Sequence, residues 1–166
     1  SLAIERVDED LQKLMNDMLE TMYEAPGIGL AAIQIGVPKR VIVLDIEWRD
    51  KSESTNNEKQ EERKNPLCFV NPEIITKSEN NLTYEEGCLS VPGQFAEIER
   101  PDKCYIKYLD YYGQPKEIKA EGMLATCIQH EIDHLEGILF IDYLSKLKKS
   151  MIIKKLSKQK KAIERI

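Results

Sequence analysis

The chain contains two histidines, and both lie in one eleven-residue run from Gln129 to Leu139. Within it, His130-Glu131-Ile132-Asp133-His134 reads H-E-x-x-H. This spacing constrains the local fold, because on a helix it projects both imidazoles from one face, one turn apart, where they can share a metal ion. Glu131 then sits about 100° round the helix from His130 and about 60° from His134. That is close enough to handle the proton of a water at the metal, but a poor place for a ligand. The bland alternative is an ordinary amphipathic helix with a chance match, so the rest of the chain has to decide.

A catalytic metal needs a third protein ligand, and there is no third histidine to supply it. The metzincin extension H-E-x-x-H-x-x-G-x-x-H is matched by Gly137 but ends on Phe140, which excludes that family. Other zincins use a glutamate well downstream. Here only Glu136, too near, and Glu164, in a lysine-rich tail, follow His134. A cysteine thiolate is the remaining donor type.

The four cysteines, Cys68, Cys88, Cys104 and Cys127, form no C-x-x-C pair and suggest no disulfide framework. Cys127 is near His130 on the same helix. However, about 10 Å of rigid helix separates it from His134, too far for three side chains to converge on one ion. It lines a pocket beside the metal or belongs to the core. Cys68 opens the apolar run Phe69-Val70, and Cys104 lies in an alternating strand, so both read as packing residues. Cys88 is different. Its segment, Tyr84 to Gly93, is broken by Gly87 and Pro92, and glycine lets a backbone come close to a ligand.

Three blocks taken together resemble the peptide deformylase family. They are Gly27-Ile28-Gly29-Leu30-Ala31-Ala32-Ile33-Gln34-Ile35-Gly36, Glu86-Gly87-Cys88-Leu89-Ser90 and His130 to Gly137, in the family's order. The resemblance runs from about Leu11 to Leu144 and implies removal of the N-formyl group from the initiator methionine of new polypeptides, with release of formate. It implies Cys88, His130 and His134 as metal ligands, with a fourth position for water, and Glu131 as the group that takes the water proton and passes it to the leaving amine. Gln34 and the backbone N–H of Leu89 resemble the family's donors to the formyl oxygen. Ile28, Glu86, Met123, Thr126 and Cys127 resemble residues that wall the methionine pocket, although Glu86 has a second reading, as a partner of Arg100 that braces the cysteine segment. Phe95 departs from the arginine that some relatives carry there to touch the peptide.

Read physically, Gly27-Ile28-Gly29 lacks the third glycine and the lysine of a nucleotide loop. It suits an open edge, at Gly29, along which an extended peptide lays its backbone. One thiolate and two imidazoles accept zinc, iron(II), cobalt or nickel. The family implies iron(II), with the others as substitutes, and iron would make the enzyme sensitive to oxygen. Two rivals are a metallopeptidase, disfavoured by the cysteine ligand, and a structural zinc protein, which would gain nothing from Glu131.

At 166 residues the chain is read as one catalytic domain over 1–166. Leu11, Leu14, Met18, Leu19 and Met22 give a helical stripe before the first glycine motif. Strands are expected at 41–44, 69–75, 104–109 and 115–120, with a turn at Tyr112-Gly113-Gln114-Pro115. The order points to an α+β fold in which the central metal-binding helix packs against an antiparallel β-sheet, followed by a basic C-terminal helix. The polar stretch 47–66 reads as a mobile insertion.

Residues 146–166 carry nine Lys or Arg and one Glu inside a chain of net charge −5. With Leu144, Leu147, Met151, Ile152 and Leu156 at helical spacing, 142–166 is expected to form a basic amphipathic helix, either docked with its lysines solvated or contacting ribosomal RNA. No run approaches a membrane span and no signal peptide is apparent. A cytoplasmic, bacterial-type monomer acting on N-formylmethionyl nascent peptides is expected, with organellar origin left open. The chain opens at Ser1, close to its first helix, where the family usually carries an earlier strand and a proline-containing turn, so a trimmed N-terminus is also an expectation.

Overall fold

A run of four aliphatic residues, Val41 to Leu44, has no polar face, so both sides of its strand must be covered. The computed structural model of the chain, which describes residues 1–25, 27–48 and 64–164, shows how. Its elements are α1 (Glu9–Glu24), β1 (Gly29–Ala31), a 3-10 turn (Ala32–Ile35), β2 (Val41–Leu44), β3 (Leu67–Lys77), β4 (Asn81–Cys88), β5 (Val91–Pro101), β6 (Lys103–Leu109), β7 (Pro115–Glu121), α2 (Gly122–Leu135), a second 3-10 turn (Phe140–Tyr143) and α3 (Lys146–Glu164). Five strands make an antiparallel sheet in the order β1-β2-β3-β6-β7, and β4-β5 form a separate hairpin.

Alternation along the strands divides the core between two helices. Val41, Val43 and Val70 face α1, meeting Leu11, Met15, Met18 and Met22. Ile42, Leu44, Phe69 and Ile106 face the other way and pack on Ala125, Ile128, Ile132 and Leu135 of α2. All four residues of β2 are therefore buried. The Asp8 side chain caps α1 by accepting the Leu11 N–H at 2.8 Å, and Glu9 and Asp10 suit the positive end of the helix dipole. Helix α2 stops just after His134, where Gly137 takes the left-handed conformation (φ 77°) and returns its N–H to the His134 carbonyl.

The fold is the expected α+β arrangement, with the metal-motif helix lying on an antiparallel sheet. The four expected strands appear as β2, β3, β6 and β7, the outer three slightly longer than expected. The hairpin β4-β5 is the main addition. What reads as a glycine-proline loop at 84–93 is the end of one strand, a Leu89-Ser90 turn and the start of the next. Gly87, Pro92 and Gly93 hide the strands in the sequence. The register shift between Gly87 and Cys88 accommodates these residues in a hairpin that, among the described residues, pairs with no further strand.

A third apolar cluster joins Val91 and Ile98 of this hairpin to Phe140, Ile141 and Ile152, so α3 docks through one face. The insertion expected at 47–66 falls mostly on 49–63, outside the described residues. No helix among the described residues is long and apolar enough to cross a membrane.

Candidate metal centre and active site

Helix α2 presents His130 and His134 one turn apart, and the hairpin turn brings Cys88 to them. The two Nε2 atoms are 3.2 Å apart, and the Cys88 Sγ is 3.3 Å from the His134 Nε2. A tetrahedral ion with bonds of about 2.0–2.3 Å separates its ligands by about 3.3–3.8 Å, so these spacings fit one small divalent ion. Among the described residues this is the one trio of such donors gathered within 4.8 Å.

The local charge also favours a cation. Glu86 and Glu131 lie against His130 beside the Cys88 thiol, and the single guanidinium of Arg100 is shared between Glu86 and Asp133. Burial alone would raise the Cys88 thiol, but hydrogen bonds with His130, His134 and the Ser90 N–H outweigh it and bring the thiol down to about 5. The other three cysteines go the opposite way. Burial raises Cys68 and Cys104 to about 11 and Cys127 to about 12. Only Cys88 is set up as a thiolate.

Each histidine lone pair needs a fixed tautomer. His130 donates Nδ1–H to the Glu86 Oε1 at 2.7 Å, which leaves its Nε2 lone pair directed at the trio. Glu86 is in turn held by Arg100 through Nε (2.7 Å) and Nη2 (3.0 Å). Both Glu86 oxygens are thus engaged. Glu86 lines the cavity, and its carboxylate is shared between His130 and Arg100.

Glu131 is buried, and its Oε2 has no hydrogen-bond partner among the described residues. Burial pushes its carboxyl up to about 7 against the opposing pull of His130 and His134. An unpartnered oxygen poised near neutrality suits a proton carrier. Gly29 gives it room. A methyl group there would lie 2.8 Å from the Glu131 Oε1 and 2.7 Å from the Leu44 Cδ2. Gln34 is oriented by its own turn: Oε1 accepts the Ala31 N–H (2.9 Å), so Nε2 faces the Cys88 Sγ (3.2 Å) and the Ser90 Oγ (3.1 Å).

A cavity of about 630 Å³ opens onto this centre, lined by His130 and Glu131 at its base and by Ile28, Gly29, Met123, Thr126 and Cys127 along its walls. Leu89 and Phe95 stand at its mouth, 51% and 65% exposed. Among the described residues the buried Thr126 hydroxyl has no hydrogen-bond partner, which makes it a polar point on an apolar wall. Gly87 allows a close approach, but what it admits is the Phe95 ring, which would lie 2.4 Å from an added methyl.

Ser90, Asp133 and Tyr143 join the site without having been singled out in the sequence. Ser90 lies two residues after Cys88 within the second motif, and Asp133 lies between the two histidines, so the motifs themselves carry both. Tyr143 had no local signal. A metal ion beside a buried base activates water, and an apolar cavity places the bond to be cut next to it. The fold and the centre together define a metal-dependent hydrolase.

Comparison with known proteins narrows the class. The polypeptide deformylase family matches residues 1–150. A peptide deformylase from Pelagibacter ubique is 62% identical over 96% of this chain and 87% of its own length. The crystal structure of peptide deformylase from Ehrlichia chaffeensis superposes with a TM-score of 0.84 at 44% identity, covering 98% of this chain and 89% of that one. The same enzyme has been solved in complex with actinonin, with a TM-score of 0.83 at 44% identity, over 96% of this chain and 88% of that one. The chain belongs to the polypeptide deformylase family. Its reaction is the hydrolytic removal of the N-formyl group from the initiator formyl-methionine of newly made polypeptides, releasing formate.

Proposed function

We propose that Cys88, His130 and His134 hold the metal, that Glu131 carries the proton, and that Gln34 and Leu89 stabilise the developing oxyanion. The observation that carries this reading is the convergence of the three donors beside the unpartnered Glu131 Oε2 at the base of the cavity. A divalent ion at the trio supplies Lewis-acid polarisation of the formyl oxygen and lowers the pKa of water toward neutrality. Glu131 takes a proton from the attacking water and delivers it to the departing amine. Gln34 has two amide hydrogens, one on the Cys88 Sγ and one on the Ser90 Oγ. The second can turn from the Ser90 Oγ and donate a hydrogen bond to the formyl oxygen as charge builds there, joined by the backbone N–H of Leu89.

Ile28, Met123, Thr126 and Cys127 shape the pocket for an unbranched thioether side chain, and Gly29 offers backbone to the peptide. Iron(II) is the metal in the cell, with zinc, nickel or cobalt as substitutes, since the soft donor set accepts all of them. Because the Ehrlichia relative is solved with actinonin, that compound should block this cavity as well. The protein acts as a cytoplasmic monomer with a single catalytic domain. The exposed lysines of α3, among them Lys154, Lys155 and Lys158, suit contact with ribosomal RNA.

The test is formate release from a formyl-Met peptide by anaerobically prepared, iron- or nickel-loaded protein. Release by the parent is expected to be lost in both Glu131→Gln and Cys88→Ser, with metal kept only by the glutamine variant. Activity in metal-free Cys88→Ser would overturn the ligand assignment.

A further inference from the structure

We propose that Tyr143 is a positioning residue for His130, acting through the Asp133–Arg100–Glu86 chain. The inference rests on the reading of His130 as a metal ligand. Arg100 is buried, 3% exposed, and three of its N–H groups are directed at carboxylates. Its Nε and Nη2 grip Glu86, and its Nη1 donates to the Asp133 Oδ2 at 2.7 Å. Tyr143 meets this group twice. Its hydroxyl donates to the same Asp133 oxygen at 2.6 Å, and its ring lies over the guanidinium, 4.8 Å from the Arg100 Cζ.

The ring therefore covers one face of Arg100, and the hydroxyl holds the carboxylate at its edge. Cation–π attraction and partial exclusion of water both strengthen the pairs beneath. Glu86 receives the result. Its Oε1 is shared between the Arg100 Nη2 and the His130 Nδ1. A guanidinium that shifts or tilts moves the carboxylate on which the imidazole hangs, and with it the direction of the Nε2 lone pair.

Location reinforces the chemistry. Tyr143 ends the 3-10 turn that Phe140 begins, and the Phe140 ring stacks on the His130 imidazole at 6.3 Å and 23°. One short turn thus supports the same imidazole directly and through the ion-pair chain. Half of the Tyr143 side chain faces solvent, so its contribution is smaller than that of Arg100 or Glu86.

The experiment measures zinc affinity by chelator competition, and the visible absorption of the cobalt(II)-loaded protein, for the parent, Tyr143→Phe and Tyr143→Leu. Thermal midpoints of the metal-free forms confirm that each is folded. Outer-shell changes typically weaken metal binding about 10–100-fold, and Tyr143→Leu is expected at the low end of that range with an altered cobalt spectrum. Tyr143→Phe, which keeps the ring, should recover part of the affinity and part of the spectrum.

A folded leucine variant with the parent's affinity and spectrum overturns the proposal. If the leucine variant does not fold, the phenylalanine variant decides, and an affinity equal to the parent's overturns it. A His130→Ala variant that binds zinc as the parent does overturns the ligand reading itself, and the inference with it, independently of Tyr143.

Discussion

At the scale of single residues, Glu131 and Gly29 make a pair whose roles can be separated. Glu131→Gln keeps shape and polarity but cannot carry the proton. Its rate of formate release should fall about 10²–10⁴-fold. Metal content, measured by elemental analysis, should stay at the parent's level. Gly29→Ala leaves the carboxylate chemically intact but displaces it, because the new methyl would overlap the Glu131 Oε1 and the Leu44 Cδ2. Misplacement of about 1 Å can cost about 10²-fold, so this variant should also lose rate while retaining metal. Equal rates in Gly29→Ala and the parent would show that Glu131 has slack the structure does not suggest. The H-E-x-x-H pattern was legible because helical spacing alone sets the geometry of His130, Glu131 and His134. Glu86 had two readings, a pocket wall and a partner of Arg100; it lies along the cavity, and the Arg100 pair is formed.

At the scale of elements, Asp45 closes the base of the segment between β2 and β3. This buried carboxylate accepts N–H groups from Glu47 and Trp48 on one side and from Asn65 on the other, together with the Tyr23 hydroxyl at 2.6 Å. Replacing it with alanine removes the common acceptor from several donors. Asp45→Ala should lower stability by about 3 kcal/mol, read as a shift of the urea midpoint with the slope unchanged. The hairpin offers a second test. Gly87→Ala pushes against the Phe95 ring, an exposed side chain that can swing away, so Phe95→Ala should relieve most of the cost in a double-mutant cycle. Additive losses would mean that the strain lies elsewhere. The sheet strands were readable from their apolar runs. The hairpin was not, because its glycines, Pro92 and many glutamates carry no strand signal, and its stability comes from cross-strand pairing and the docked face of α3.

At the scale of the whole molecule, the metal and the fold are linked. A ligand bound only to the native state stabilises it by about 4 kcal/mol at a thousandfold excess over its dissociation constant. For a chain of this size that corresponds to a thermal midpoint roughly 8–16 °C above that of the chelated protein, measurable by scanning calorimetry. The C-terminal helix belongs to the same scale. Removing α3 would uncover Val91, Ile98 and Phe140, so truncation would confuse binding with folding. Reversing the exposed charges Lys154, Lys155 and Lys158 to glutamate leaves the docked face untouched. This change should abolish co-sedimentation with ribosomes at low salt while preserving formate release.

The sequence by itself determined the chemistry whose geometry is local. A helix fixes His130, Glu131 and His134 relative to one another with no help from the rest of the chain. An alternating or wholly apolar run sets which strand is buried on one face or both. The tertiary structure decided between the two readings of Glu86 and alone brought Asp133 and Tyr143 to Arg100, because Glu86, Arg100, Asp133 and Tyr143 come from β4, β5, α2 and a 3-10 turn. No periodicity records a contact between elements that far apart in the chain. Their pairing follows from the burial of Arg100, which has to meet carboxylates wherever the packed hairpin and helix bring them within reach.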